Sequence, residues 1–575
     1  MPRDADTDMV SAGAALFGKL KALGVDYVFA NSGTDFPPII EGLIEAREKG
    51  IDLPEAITVP HEHAAMGMAH GYTLLTGRAQ AVMLHTNVGL ANGSIGAINA
   101  ACDQIPMLLM SGRTPVAEAG RFGARTVPIG WGQEMYDQTA LVREACKWDY
   151  ELRFPDQVST VLDRGWSIAN STPRGPVYLS LPREVLCEAC PSEGLSAPTQ
   201  MDPVRLAPDR DAIVKAASLI AGAKRPLIIA QRGAGSEQAF SALAEFVEDY
   251  AIPLSHYWAN QIAIPMSSPC HIGWMPDDLL LEADVVLVIN ALAPWWPDRA
   301  APGKDARIIQ LGPDPLFARS TPMRSFPSHV TLAGDTATVL AELMTAVEAL
   351  PADKALIAER RTRITEISRK ERERIGETAK AGCRSPMSKE WVSHCLGQAI
   401  KGRKASVFSE LGCPLPPLQL EDHHSYFQEP HSGGLGWGLP AAMGAQLADP
   451  ERLCFATIGD GSYMFANPTA CHQVCEAFNL PVITLVLNNE EWGAVRHSVE
   501  GLYKDGLAAR TNDVPLTSLR PSPDFALTAQ ASRAYTETIT DGTDLPEVLE
   551  RAITVATTER RQVLLNIAIA RTGPH

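Results

Sequence analysis

The sequence predicts an α/β protein with three doubly wound parallel-sheet domains. Its 575 residues exceed what one ordinary core organises, since domains usually span about 100 to 200 residues. Short β-branched or apolar runs alternate with longer helix-like segments, which is the pattern of parallel α/β units. Two stretches of linker-like or highly charged composition divide this alternation into three parts.

The first part is assigned to residues 1–190. Its strand candidates are short apolar runs at residues 27–30, 81–84, 107–110 and 177–181. From residue 187 to about residue 209 the chain becomes rich in Pro, Ser and acidic residues, a composition typical of a connection. We therefore expect the first domain to end near residue 190.

The second and third parts are assigned to residues 205–350 and 387–575. Strand candidates lie at residues 226–230, 285–290 and 307–311 in the second part, and at residues 406–409, 453–458, 482–487 and 563–568 in the third. Between these parts, residues 359–374 carry many charges and a sparse series of isoleucines, which favours a solvated helical connector.

The composition indicates a globular protein with an acidic surface. Hydrophobic residues make up 45% of the chain and the formal net charge is -17, which argues against binding to nucleic acid. Residues 1–9 lack the basic and apolar runs of a signal peptide, and the most apolar stretch, near residues 285–296, is too short to span a bilayer. Eleven scattered cysteines do not suggest a disulfide framework. We expect a cytoplasmic protein without a membrane partner.

The strongest chemical signal is the sequence Gly-Asp-Gly-Ser at residues 459–462, directly after the apolar run 454–458. A second apolar run ends in a pair of asparagines that includes Asn489. Ligands of open parallel sheets bind at the carboxyl ends of strands, and Mg²⁺ prefers oxygen ligands that it shares with phosphates. Asp460, the Asn489 side chain and a backbone carbonyl near Glu491 are therefore the candidate metal ligands. Taken alone, Gly-Asp-Gly is equally typical of an ordinary tight turn.

At this point the sequence resembles the thiamine-diphosphate-dependent enzymes, whose diphosphate-and-metal motif opens with GDG and closes with NN or DN. The run Gly-Gly-Leu-Gly-Trp at residues 433–437 is similar to the segment that wedges the bent cofactor in that family. The resemblance implies that Leu435 is the wedge and that the carbonyl near Gly433 accepts a hydrogen bond from the exocyclic amine of the cofactor. It also implies cofactor contacts from residues near the strand ends of the third part: Gly412, Cys413, Gly461 and Ser462.

The family also requires a glutamate from the N-terminal domain, and residues 59–72 resemble that segment closely. Glu62 is the implied catalytic residue, which would share a proton with the aminopyrimidine ring of the cofactor. A carboxyl group on an apolar helix face has a raised pKa, which suits that exchange. Alternatively, Glu62 is a carboxylate that the dipole of its helix stabilises.

Three further residues are candidates for contact with the substrate. His85 stands where the benzoylformate decarboxylase type has an active-site histidine, and Thr34 stands near the serine of that type. Histidine suits proton exchange because its pKa lies close to physiological pH. Gln133 is similar to an active-site glutamine of acetolactate synthases. Residues 290–296 lack the second histidine of the decarboxylase, and flavin-binding features are not recognisable, so no flavin is expected.

The resemblance covers most of the chain and implies pyrimidine-binding, central and diphosphate-binding domains, with thiamine diphosphate and Mg²⁺ as cofactors. It implies a 2-oxo acid decarboxylase or carboligase, similar to acetolactate synthase, that acts through an ylide and an enamine. Each active site would form between two subunits of a dimer or dimer of dimers. Trp296, Trp437 and Trp492 are candidates for an apolar pocket wall. Open alternatives are a thiamine-diphosphate lyase of a diketone or an acyl-CoA adduct, a non-catalytic cofactor-binding homologue, and a nicotinamide dehydrogenase.

Overall fold

The computed structural model describes residues 8–197, 199–318, 321–511 and 514–571, so most of the acidic start of the chain lies outside the described residues. Three main sheets are present, and every neighbouring pair of strands within them is parallel. The predicted α/β fold class with three parallel-sheet domains is therefore confirmed.

The N-terminal sheet has six strands in the order β3-β2-β4-β5-β7-β6. A separate antiparallel pair joins β1 to β8. The strands are β1 (Met9–Ser11), β2 (Tyr27–Ala30), β3 (Glu55–Thr58), β4 (Gln80–Leu84), β5 (Met107–Arg113), β6 (Asp149–Glu151), β7 (Pro176–Pro182) and β8 (Ala189–Pro191). The helices are α1 (Ala12–Ala22), α2 (Pro37–Glu48), α3 (Glu62–Thr76), α4 (Thr86–Cys102), α5 (Ile129–Gly132), α6 (Val158–Asn170) and α7 (Arg183–Leu186), with 3-10 turns at Gln138–Leu141 and Pro155–Gln157.

The central sheet has five strands in the order β10-β9-β11-β12-β13. The strands are β9 (Pro226–Ala230), β10 (Leu254–Ser255), β11 (Val285–Ile289), β12 (Arg307–Gly312) and β13 (Val330–Ala333). The helices are α8 (Arg210–Gly222), α9 (Glu237–Asp249), α10 (Asp277–Glu282) and α11 (Thr336–Glu348). The charged connector forms α12 (Lys354–Ala381), which begins where the Asp353 side chain accepts two backbone N–H bonds and which buries Ile364 and Ile375. The expectation of a helical connector is met.

The C-terminal sheet has six strands in the order β15-β14-β16-β17-β19-β18. The strands are β14 (Ala405–Glu410), β15 (Tyr426–Gln428), β16 (Leu453–Gly459), β17 (Ile483–Asn488), β18 (Tyr535–Ile539) and β19 (Val563–Ala568). The helices are α13 (Lys389–Ile400), α14 (Gly438–Ala448), α15 (Asp460–Phe465), α16 (Pro468–Ala477), α17 (Gly493–Leu502), α18 (Leu507–Thr511), α19 (Phe525–Gln530) and α20 (Leu545–Thr554), with a 3-10 turn at Pro416–Leu418 and a π-helical turn at Val555–Glu559.

The chain divides into two compact units. The first, here called the N-terminal unit, comprises Met1–Arg205 and Pro430–Asp449, and the second, here called the C-terminal unit, comprises Leu206–Glu429 and Pro450–His575. Helix α14 therefore belongs to the N-terminal unit, although it lies in sequence between two strands of the C-terminal sheet. Among the described residues, no helix combines the length and the apolar character that crossing a membrane requires.

Candidate active site

A cavity of about 430 Å³ lies in the C-terminal unit at the carboxyl edge of its sheet. Residues that follow β14, β16, β17 and β19 line it, among them Gly412, Asp460 and Asn489. Strands β16 and β17 are parallel neighbours, and Gly459 is paired with Leu487. The two motifs that follow these strands therefore meet at one edge, as the sequence predicts.

Asp460 is one of three acidic residues that line this cavity, with Glu429 and Glu491, and it is almost completely buried, at 3% exposure. One carboxylate oxygen accepts the backbone N–H of Gly461 at 3.0 Å, and the other accepts that of Glu490 at 2.8 Å. Burial raises the pKa of Asp460 to about 6, although these hydrogen bonds oppose the shift. A buried carboxylate bound only by neutral donors is a good ligand for a cation, because a cation would offset its loss of hydration.

Asn489 and Glu491 contribute differently to the predicted metal site. The Asn489 side-chain oxygen accepts the backbone N–H of Glu491 at 3.1 Å and lies in a residue that lines the cavity. The Glu491 carboxylate is buried and ion-paired to Arg496 at 3.0 Å, so its negative charge is already balanced. Its backbone carbonyl accepts the N–H of Gly493, which leaves a second lone pair on that oxygen. Of the two oxygen-bearing groups of Glu491, therefore, the backbone carbonyl is the reasonable metal ligand and the carboxylate is not.

Four smaller residues line the cavity. A Cβ on Gly461 would lie 2.3 Å from the Trp492 ring, and one on Gly412 would lie 2.1 Å from the Thr457 carbonyl oxygen, so both positions require glycine. The Ser462 hydroxyl oxygen is buried and has no hydrogen-bond partner among the described residues. Burial raises the pKa of Cys413 to about 12, which keeps it a neutral thiol in the cavity wall.

These features fit a diphosphate with a magnesium ion. The donor set consists of one carboxylate, one amide and backbone carbonyl oxygens, which is the oxygen-rich chemistry that Mg²⁺ prefers. Among the described residues there is no group of three or more His, Cys, Asp or Glu side chains that could hold a metal. Mg²⁺ bound here would take its other ligands from phosphate oxygens and water.

Glu62 is the first residue of α3 in the N-terminal unit and is 8% exposed. Its carboxylate lies between two side-chain amides: Asn31 donates to one oxygen at 2.9 Å and Asn92 to the other at 3.1 Å. Gly89 lies against it, since a Cβ there would be 3.1 Å from a Glu62 oxygen. The predicted apolar surrounding is therefore wrong: Glu62 is buried in a polar clamp.

The segment that contains Leu435 is fixed to the same unit. The ring of His63, beside Glu62, contacts the Leu435 carbonyl oxygen at 3.0 Å, and burial lowers the pKa of His63 to about 4, so the neutral ring donates this bond. Asn99 donates to the Gly434 carbonyl at 2.9 Å. Gly433 has a φ of 70°, in the left-handed region that favours glycine. Leu435 and Glu62 are thus held by neighbouring side chains of one folded unit.

Helices α3 and α14 pack together through small residues. A Cβ on Gly71 would lie 1.9 Å from the Ala441 carbonyl oxygen, and one on Gly444 would lie 1.9 Å from that of Met68. The helix backbones therefore approach as closely as glycine permits. This contact determines how the start of α3, with Glu62, and the loop before α14, with Leu435, are placed within the N-terminal unit.

His85 and Gln133, which were predicted from two different subfamilies, meet in the structure. The Nε2 atom of His85 lies 3.1 Å from the Gln133 side-chain nitrogen. The Nδ1 atom of His85 contacts a carboxylate oxygen of Asp35. Sequence reasoning missed Asp35, one residue beyond Thr34. The signal that could have found it is its place after β2, because β2 and β4 are parallel neighbours and His85 follows β4.

Thr34 and the three tryptophans are the other candidates for the substrate pocket. Thr34 is exposed, and its carbonyl accepts a bond from Arg183 at 3.2 Å. Of the three tryptophans, only Trp492 lines the described cavity of the C-terminal unit. Trp437 is buried against His70 in the N-terminal unit, and Trp296 is mainly exposed on the C-terminal unit. Burial of Trp437 against His70 contradicts its predicted place in a pocket wall, whereas the places of Trp296 and Trp492 in such a wall stay predictions.

Comparison with known proteins gives a consistent assignment along the chain. Three family models match: thiamine pyrophosphate enzyme, N-terminal TPP binding domain, at residues 10–141; the central domain of the same enzymes at residues 213–343; and the C-terminal TPP binding domain at residues 415–567. Thiamine pyrophosphate, or TPP, is another name for thiamine diphosphate.

Several curated proteins and solved structures are similar over nearly their whole length. A probable 2-ketoarginine decarboxylase of Pseudomonas aeruginosa is 27% identical, with 94% of this chain and 91% of that protein covered. The benzoylformate decarboxylase of the same organism is 27% identical, over 85% of this chain and 88% of that protein. A probable acetolactate synthase large subunit of Methanocaldococcus jannaschii is 24% identical, over 94% and 89%. The structure of a Rhodococcus jostii 4-hydroxybenzoylformate decarboxylase has a TM-score of 0.77 at 20% identity, over 98% and 100%, which shows a shared fold.

Proposed function

Because the chain belongs to the thiamine pyrophosphate enzyme family, we propose that it is a thiamine-diphosphate-dependent 2-oxo acid decarboxylase or carboligase. The observation that carries the proposal is the pair of buried carboxylates, Glu62 and Asp460, one in each folded unit. The family resemblance implies a cofactor contact for both residues. The named decarboxylases and the acetolactate synthase among the relatives support the same reaction class.

In the C-terminal unit, Asp460, the Asn489 side chain and the Glu491 carbonyl would hold Mg²⁺ and, through it, the diphosphate. Gly461 and Gly412 line the same cavity, and their lack of a side chain lets the backbone of these turns pack against Trp492 and Thr457. The unpartnered Ser462 hydroxyl is a donor for a phosphate oxygen. Together these residues would bind and orient the cofactor.

In the N-terminal unit, Glu62 would exchange a proton with the aminopyrimidine ring. The amides of Asn31 and Asn92 hold its carboxylate in one orientation, so little reorganisation is needed before proton transfer. When bound, the cofactor supplies an electron sink for the carbon-carbon bond that breaks. His85 would hold or deliver a proton beside the cofactor. Gln133 would be a neighbouring polar contact, and Thr34 would lie at the edge of the site.

We further propose that the enzyme acts as a dimer or dimer of dimers, in which Glu62 of one copy and Asp460 of another serve the same cofactor. This arrangement is what the family resemblance implies. A cytoplasmic location is supported by the cysteines: all eleven lie in the described part of the chain and none forms a disulfide there, as expected in a reducing compartment.

The proposed function is tested by carbon dioxide release from a panel of 2-oxo acids with thiamine diphosphate and Mg²⁺. The panel should contain pyruvate, benzoylformate and a 2-oxo acid with a guanidinium end, the last because of the name of one relative. Product analysis separates an aldehyde from a hydroxy ketone, and hence a decarboxylase from a carboligase.

The matched variant is Glu62→Gln, which keeps the size of the side chain and removes its proton exchange. General acid or base catalysis contributes about 10² to 10⁴ in rate, so we expect turnover to fall by that order while the cofactor still binds. The control is Glu48→Gln, at an exposed glutamate of the same unit. Equal turnover of native protein and Glu62→Gln, or no release from any acid despite cofactor binding, would refute the proposal.

A further inference from the structure

His85 lies between a carboxylate and an amide. It follows β4 and precedes α4, and its ring is half-buried. Asp35 lies in the turn after β2, is 4% exposed, and contacts Nδ1 of His85 through one carboxylate oxygen. The second oxygen of Asp35 has no hydrogen-bond partner among the described residues. His85 is therefore the main polar partner of a buried carboxylate, a pairing that the cofactor motifs do not require.

Two glycines provide the space for this pair. A Cβ on Gly33 would lie 2.1 Å from the His85 ring. A Cβ on Gly112 would lie 1.4 Å from the free oxygen of Asp35. Any larger residue at either position would displace one member of the pair, so the backbone around it is built to admit both side chains.

The opposite ring nitrogen faces Gln133. As placed, the Gln133 amide nitrogen lies 3.1 Å from Nε2 and would donate to it, which corresponds to a neutral ring with its proton on Nδ1. The next residue, Glu134, is ion-paired to Arg113 at 2.5 Å and to Arg125, so the segment that carries Gln133 is anchored. When Nε2 is protonated it becomes a donor, and it then needs the amide oxygen of Gln133 or a carboxylate of the substrate as its acceptor.

We propose that Asp35 is a positioning residue that holds the Nδ1 proton of His85, so that Nε2 is the atom that delivers a proton in the reaction. In the cationic ring both nitrogens carry a proton. Delivery of the Nε2 proton leaves the neutral form with Nδ1–H bonded to Asp35, and solvent then restores the proton. This inference rests on the proposed function of the site and adds a residue to it.

The charges around His85 favour its cationic form. Asp35 raises the pKa of His85, burial opposes this, and the more distant Glu62 carboxylate raises it further, so that the pKa lies above its usual value. The anchored Glu134, with Arg113 and Arg125, lies beyond Gln133. A step that uses the Nε2 proton is therefore available below the raised pKa and is lost as pH rises through it.

The test uses the holoenzyme with thiamine diphosphate and Mg²⁺ and the variant Asp35→Asn, which keeps the shape of the side chain and removes its charge. We expect kcat/KM to fall on the order of tenfold to a hundredfold, at or below the lower end of the range of about 10² to 10⁴ for acid or base groups, because Asp35 acts through His85. The alkaline limb of its pH profile should move to lower pH. NMR titration of the histidine rings should show that the pKa of His85 is lower in Asp35→Asn than in the native protein. The variant His85→Asn assigns the His85 signal. The exposed Asp52→Asn is the control.

Two further variants, Gly112→Ala and the double variant His85→Asn with Asp35→Asn, test the same pairing if Asp35→Asn alone is unstable. Gly112→Ala should displace the Asp35 carboxylate without changing its charge, and it should shift the His85 titration in the same direction. In a His85→Asn background, Asp35→Asn should have little additional effect on kcat/KM, because residues that act as one unit are not additive. An unchanged His85 titration in Asp35→Asn, or a full additional loss in the His85→Asn background, would overturn the proposal.

The decarboxylase assignment and the Asp35–His85 pairing are tested by different measurements. If the native holoenzyme releases no carbon dioxide from any 2-oxo acid, the decarboxylase assignment fails. The His85 titration in native protein and in Asp35→Asn still measures the pairing, because it requires no turnover.

Discussion

The two buried carboxylates of the candidate site differ in what surrounds them. Glu62 accepts one hydrogen bond on each oxygen from two side-chain amides of its own unit, which fix the orientation of its carboxylate without any ligand. Asp460 receives only backbone N–H groups and lies beside a buried hydroxyl without a partner. In the proposed function, two side-chain amides of the N-terminal unit therefore orient a proton-exchange group, whereas the C-terminal unit places its carboxylate beside a further unused polar group in the cavity proposed to bind a cation.

Among the variants that test this difference between the two carboxylates, Asp460→Asn should have the greatest effect, which is on the affinity for Mg²⁺. Removal of the charged ligand should lower the apparent affinity for Mg²⁺, measured with thiamine diphosphate present, on the order of a hundredfold, by analogy with the loss of groups that support a metal site. Three tryptophans line the cavity, Trp258, Trp274 and Trp492, so the change in intrinsic tryptophan fluorescence on addition of Mg²⁺ is the measurement. The control is the exposed Asp505→Asn. An affinity equal to that of the native protein would show that Asp460 is not a metal ligand.

The next effect concerns pH. A metal at the proposed site would bind the ionised carboxylate, and burial raises the pKa of Asp460 to about 6. Apparent Mg²⁺ affinity should therefore be constant above that pH and fall about tenfold for each pH unit below it, as protons compete for the ligand. Titrations of Mg²⁺ between pH 5 and 8 measure this. Affinity that rises as pH falls, or that is flat throughout, would contradict the assignment, and Asp460→Asn should abolish the dependence.

The smallest effect is expected from Asn92→Ala in the N-terminal unit. Loss of one of the two amides leaves one oxygen of Glu62 without a partner, which costs about 1 to 3 kcal/mol, so turnover should fall about tenfold. Mg²⁺ affinity should stay unchanged, because Asn92 belongs to the other unit. Asn170→Ala, at the end of α6, is the control. A large change in Mg²⁺ affinity would break the distinction between the two units.

Much of the fold and the chemistry was predictable because it depends on local patterns. Parallel strands buried on both faces appear as short apolar runs, so the three sheets follow from the sequence. The residues after β16 and β17 were predictable for the same reason, since their edge is fixed by strand order. Glu62 was identified by resemblance, but its clamp by Asn92 was not, because that contact joins different elements.

Other features depend on packing that the sequence does not encode locally. The assignment of α14 to the N-terminal unit follows from glycine contacts between two distant helices. Trp437 resembled a pocket residue because it follows the wedge motif, yet it is buried against His70 on α3. Asp35 was missed because its function depends on His85, fifty positions away in the chain. The predicted domain limits, 1–190, 205–350 and 387–575, stay predictions.

The glycine contacts between α3 and α14 have a consequence for directed evolution of this enzyme. Because Gly71 and Gly444 lie against carbonyl oxygens of the opposite helix, a randomised library should retain only glycine at these two positions. The segment around Gln133 lies outside this helix pair and has exposed neighbours such as Trp131. Mutational change of substrate preference is therefore expected to accumulate in that segment, while the helix pair that carries Glu62 and the Leu435 loop stays invariant.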